Sequence, residues 1–172
     1  MRGKMMSWVT FENFYFLFLV AITLHNLEEA VFLPDWSQQA GRWHRPVEKI
    51  PFRFAVLVLT LLAYLCAYLG LMGGKQSIGI HLLGGYAFVM LINVFFPHLL
   101  AAVWLKQYVP GLGTALVLNF PVCSGLLVLL YQEEYLSFWP LVILGTLFAA
   151  GSIPLIRLLF RLGKRVEEKL WD

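Results

Sequence analysis

The chain has 172 residues, 60% of them apolar and only 13% charged, with a formal net charge of +3 and a mean hydropathy of +0.74. A soluble domain carries about 25% charged residues, so these figures exclude a soluble globular fold and leave a polytopic membrane protein. The small positive excess does not suggest a nucleic-acid binder.

Five segments are apolar over the roughly 20 residues that a helix needs to cross about 30 Å of hydrocarbon. They lie at about 11–33, 52–72, 78–105, 112–131 and 138–160. The connections between most of them are short, which makes neighbouring spans antiparallel. The sequence therefore predicts an all-α bundle of five transmembrane helices forming a single integral membrane domain over residues 1–172. No internal repeat or low-complexity tract interrupts it.

A secretory signal has a short apolar core and a small-residue cleavage site. The first segment shows neither, so it is read as a retained helix. Within it runs His25-Asn26-Leu27-Glu28-Glu29. An ionisable group at membrane depth costs roughly 3 kcal/mol and marks a polar interior with a function. On a helix, Glu29 lies about 40° from His25 and Glu28 about 60° to its other side, so the three share one face that can hold a metal or a proton.

The loop that follows contains Pro34, Pro46, Pro51, Trp36, Trp43 and several bases. This mixture predicts an interfacial segment without a continuous helix, and His44 has no assigned role in it. Cys66 and Cys123 fall inside spans and read as packing residues without a disulfide. In the third segment, His81 near the start reads as interfacial. The later run Asn93-Val94-Phe95-Phe96-Pro97-His98 predicts a kink at Pro97 beside a buried imidazole. The fourth segment opens Pro110-Gly111-Leu112-Gly113-Thr114 and continues to Asn119 and Pro121, again polar and helix-bending. Glycines such as Gly70, Gly84, Gly85, Gly125, Gly145 and Gly151 suit close helix approach. Glu12, Glu133 and Glu134, at segment ends, and Glu167, Glu168 and Lys169, in the tail, read as solvated.

Sidedness follows from the bases. With five spans, ten Lys and Arg residues fall on one side and three on the other. The excess predicts an outside amino terminus and a cytoplasmic carboxyl terminus, with the basic face against anionic lipid headgroups. On that topology His25, Glu28, Glu29, Asn93, His98, Thr114 and Asn119 all fall in the cytoplasmic half, where they can converge, while His81 lies in the other half.

Two imidazoles and a carboxylate match the mixed donor set of zinc, iron or manganese. His25, Glu29 and His98 are the candidate ligands of such a divalent ion. Glu28 is then the candidate general base and Asn93 the residue that orients substrate or water. The spacing is close to the inverted zincin pattern H-x-x-E-H, with Glu29 in place of the second His. A metal-free alternative uses a buried Glu as the base, with His25 or His98 as its partner and Asn93 donating to an oxyanion. The plainest alternative is a set of hydrogen bonds that only hold the bundle together.

The motif His25-Asn26-Leu27-Glu28-Glu29 on the first span, Asn93 to His98 on the third and the Gly-rich start of the fourth resemble the bacterial integral membrane family named for its HXXEE motif. That resemblance implies a bacterial plasma (inner) membrane location and the same choice of site residues, without supplying a reaction. Taken together, the sequence points to an intramembrane metal-dependent enzyme, a hydrolase acting on a lipid-like or lipid-modified substrate. The alternatives are a small ion- or proton-coupled transporter, which a homodimer would make easier to build, and a non-catalytic membrane subunit.

Overall fold

The computed structural model describes residues 9–41 and 46–171. Arg2, Lys4, Arg42 and Arg45, which enter the sidedness count, and Trp43 and His44 of the first loop lie outside the described residues. Five helices are long and apolar enough to cross a membrane: α1 (Phe11–Gln39), α2 (Lys49–Gly73), α3 (Ile78–Leu105), α4 (Leu112–Gln132) and α5 (Phe138–Trp171). No strand occurs among the described residues.

Local chemistry sets several of the ends. Thr10 caps α1 by accepting the Asn13 N–H, and Ser77 caps α3 by accepting the Ile80 N–H. Lys106 takes a left-handed conformation and ends α3. At Pro34 the structure corrects the sequence reading, because α1 continues through that proline to Gln39. A proline inside a helix leaves the carbonyl four residues earlier without its N–H donor. Here that carbonyl is Ala30 O, and Arg53 Nε donates to it at 3.0 Å. α5 likewise runs past the predicted span end to Trp171. Its last turns lie against the start of α2, where the Phe160 and Phe52 rings stand 6.0 Å apart and Lys164 pairs with Glu48 at 3.0 Å.

The helices pack around Phe18 and Ile22 of α1, Ala63 and Ala67 of α2, Leu83 and Ala87 of α3, and Leu126 and Leu130 of α4. α1 lies against α2 and α4, and α5 lies across α2 and α3. Large apolar side chains also face outward from every helix, among them Phe16, Leu61, Val103, Val117 and Trp139. Such a coat suits hydrocarbon surroundings, since a soluble monomer rarely exposes so much contiguous apolar surface. Cys66 and Cys123 are free buried thiols, as expected.

Two breaks shape the interior. Around Pro97 the turn of α3 widens over Val94–Leu99, and Phe96 takes extended dihedrals (φ −133°, ψ 117°). In α4 the turn widens over Ala115–Asn119, the kind of irregularity often found at functional sites. Both breaks face the carboxyl-terminal half of α1, which carries the acidic motif.

Candidate metal centre

His25 and His98 are 0% and 1% exposed, and their rings meet edge to face with centroids 5.0 Å apart. Glu29 stands between them. Its Oε1 lies 3.0 Å from His98 Nε2 and 3.7 Å from His25 Nε2. One ligand atom from each of the three residues falls within 4.8 Å of the others. Metal–nitrogen and metal–oxygen bonds of about 2.0–2.1 Å at tetrahedral angles place neighbouring donor atoms about 3.3 Å apart. The two separations from Glu29 Oε1 bracket that value.

His98 is the least satisfied of the three. Among the described residues His98 Nδ1 has no hydrogen-bond partner, and His98 Nε2 meets only Glu29 Oε1. A buried polar atom left unpaired costs about 1–3 kcal/mol, so an imidazole in this state is suited to a ligand or a proton. At His25 the surrounding contacts select a tautomer. Its Nδ1 lies 3.0 Å from Thr114 Oγ1, and the Thr114 hydroxyl donates to Glu28 Oε2 at 2.6 Å. With its hydroxyl hydrogen directed at the carboxylate, Thr114 accepts from His25 Nδ1–H, which leaves a lone pair on Nε2. Histidines that bind metals are held by this kind of second hydrogen bond. Asn93 Nδ2 reaches the same Nε2 at 3.2 Å and occupies it in this state.

Glu28 turns away from the three. Its Oε1 accepts from the Tyr108 hydroxyl and from the Gly111 N–H at 2.9 Å. Its Oε2 accepts from the Thr114 hydroxyl and from the Thr114 N–H at 3.2 Å. Four donors fill the roughly four lone-pair sites of a carboxylate. Glu28 in this arrangement therefore has no free lone pair for the general-base role that the sequence suggested; it ties α1 to the start of α4. Burial raises the Tyr108 phenol above its ordinary range, and its hydrogen bond to Glu28 adds to the shift.

Gly111 explains the Gly-rich turn. It sits at φ +92°, which favours glycine, and a Cβ there would collide with the His98 ring and crowd Glu29 Cγ. Of the other residues expected at the site, Asn119 is fully buried on the widened turn of α4, and no protein hydrogen bond ties its amide to the cluster. His81 bonds to the Ser77 carbonyl at the other end of α3. Tyr108 was not anticipated. Only its place in the short loop before the glycine turn could have signalled it.

His25, Glu29 and Asn93 also line a cavity of about 730 Å³ that extends between α1, α2, α3 and α5. Its remaining walls are mostly aliphatic and aromatic. Leu65 and Leu147 line it and are at least half exposed, so the cavity is not sealed from the bundle's lipid-facing side.

Fold and site together define a helical membrane protein with a buried His–Glu–His cluster able to hold a metal ion. The chain belongs to the family described as proteins of unknown function with an HXXEE motif, which matches residues 16–126. It is also similar to the uncharacterized protein YrkK of Bacillus subtilis (strain 168), with 41% identity over 153 residues, 89% of this chain and 97% of the relative. No solved structure matches it. The matched region contains His25, Glu28, Glu29, Asn93, His98 and Thr114.

Proposed function

We propose that the chain is an intramembrane metal-dependent enzyme, a hydrolase acting on a lipid-like or lipid-modified substrate in the bacterial plasma membrane. The observation that carries this reading is the meeting of His25, Glu29 and His98 beside a large apolar cavity built from membrane-spanning helices. Purely structural polar clusters give little net stability at this depth, because well-packed apolar side chains can replace them. A bound zinc, iron or manganese ion would supply Lewis acidity.

The protein groups divide the remaining work. Glu28, Thr114 and Gly111 fix His25 and the start of α4. Asn93 faces the cavity beside His25 and would orient the substrate's polar group. Proton handling passes from Glu28 to Glu29, because Glu29 lines the cavity and a carboxylate that binds through one oxygen keeps a second to accept a proton. The basic end of α5, with Arg157, Arg161, Lys164, Arg165 and Lys169, would rest on anionic headgroups at the cytoplasmic surface, with the amino terminus outside.

Metal analysis of purified wild type, His98→Ala and Glu29→Gln, followed by mass spectrometry of bacterial lipids incubated with each, tests the reading. It predicts about one ion per chain in wild type, background metal in both variants and lipid cleavage by wild type alone. Metal-free wild type after loading would overturn it. The breaks in α3 and α4 also suit an ion carrier, which would instead move the bound ion into proteoliposomes without changing any lipid.

A further inference from the structure

The cavity's polar groups restrict what it can hold. Tyr86 lines it but donates its hydroxyl to the Leu59 carbonyl at 2.8 Å, and Ser152 donates to the Ala149 carbonyl at 2.7 Å. Asn26 is tied to Thr60 Oγ1 at 2.7 Å. Hydrogen-bonding capacity for a ligand is thus concentrated where His25, Glu29 and Asn93 meet. The rest of the lining offers dispersion contacts and area to bury.

Charge restricts it further. Among the described residues no Lys or Arg lines the cavity. Arg53, next to the lining residue Phe52, is exposed, gives its Nε–H to the Ala30 carbonyl and is not part of the lining. A phosphate or diphosphate head would find no cationic side chain in the lining to pair with, and burying an unpaired charge is strongly unfavourable.

We propose that the cavity takes an uncharged lipid bearing one small hydrogen-bonding head, a lipid alcohol or its ester, and rejects phosphate-bearing lipids. This deepens the reading of the same site as an enzyme of lipid-like substrates and rests on it for the role of the head, while the binding preference rests on the cavity lining. The apolar body lies between α2 and α5, and the head reaches Asn93 and Glu29.

Binding of geranylgeraniol, geranylgeranyl diphosphate and dioleoylphosphatidic acid to the purified full-length protein tests this, measured by thermal shift in metal-loaded and chelator-treated samples. The alcohol should bind at least about tenfold more tightly than either phosphate-bearing lipid in both samples. Gly151→Phe and Leu155→Trp, which place bulk on the cavity wall, should weaken the alcohol by about tenfold or more while melting normally without ligand. Gly151 has room for the change, since nothing lies within 4 Å of a Cβ built there. Equal or tighter binding of the diphosphate or phosphatidic acid by wild type would overturn the proposal, as would folded variants that bind the alcohol unchanged. A preference for the alcohol in protein that never takes up metal would uphold the lipid assignment and sink the metal reading, so the two fail separately.

Discussion

Thr114 passes a hydrogen bond from His25 to Glu28, and its hydroxyl is what holds the lone pair of His25 Nε2 toward Glu29. Loss of such a partner costs about 10–100-fold in metal affinity, so Thr114→Val should weaken metal binding by that factor while Thr114→Ser retains most of it. Competition with a chelator of known affinity would measure both. Gly111→Ala should remove metal binding more completely, because the added Cβ displaces His98 and the backbone is strained at φ +92°. Metal content like that of wild type in Gly111→Ala would contradict this packing. Tyr108 gives a pH signature. Its folded pKa lies above the ordinary value of 10.0, so its contribution to stability is complete below that pH and is lost as pH rises through the raised value. Melting temperatures followed from neutral to strongly alkaline pH should therefore fall more steeply for wild type than for Tyr108→Phe. At this scale the sequence marked which polar side chains come together but not how the two carboxylates divide between them. His25, Glu28 and Glu29 share a face by spacing alone. Which carboxylate meets His98 depends on the rotation of α1 against α3 and α4, and no local pattern encodes that.

Among the elements, α2 and α3 come close at Gly79, where a Cβ would collide with the Leu69 carbonyl. A backbone atom cannot move aside as a side-chain tip can, so Gly79→Ala should lower stability by about 1–3 kcal/mol. Gly151→Ala, with open space around it, should leave the melting temperature near that of wild type. Matched melts of the two variants check the contrast. The five helices were legible because each is a long apolar run, and length is what the bilayer demands. Their ends were less so. Pro34 has the local character of a helix stop, yet Arg53 on α2 supplies the donor that its helix needs. The continuation of α5 past Phe160 rests on contacts with α2 at Pro51, Phe52 and Glu48, which are distant in sequence.

For the whole molecule, the breaks in α3 and α4 bring His98 and Thr114 to the acidic half of α1, and the same arrangement leaves a cavity toward α2 and α5. The convergence could be anticipated from topology, because α1 and α3 end and α4 begins on one side of the bundle. The cavity could not, since its walls are ordinary Leu, Val and Phe residues whose spacing reads as packing. The central claim is that His25, Glu29 and His98 bind one ion together. X-ray absorption spectroscopy of the metal-loaded protein tests it most directly. The account predicts two imidazoles and one carboxylate in the first coordination shell, with zinc distances of about 2.0–2.1 Å, and loss of one imidazole or of the ion in His98→Ala. A metal held without imidazole, or a spectrum that His98→Ala leaves unchanged, would contradict it.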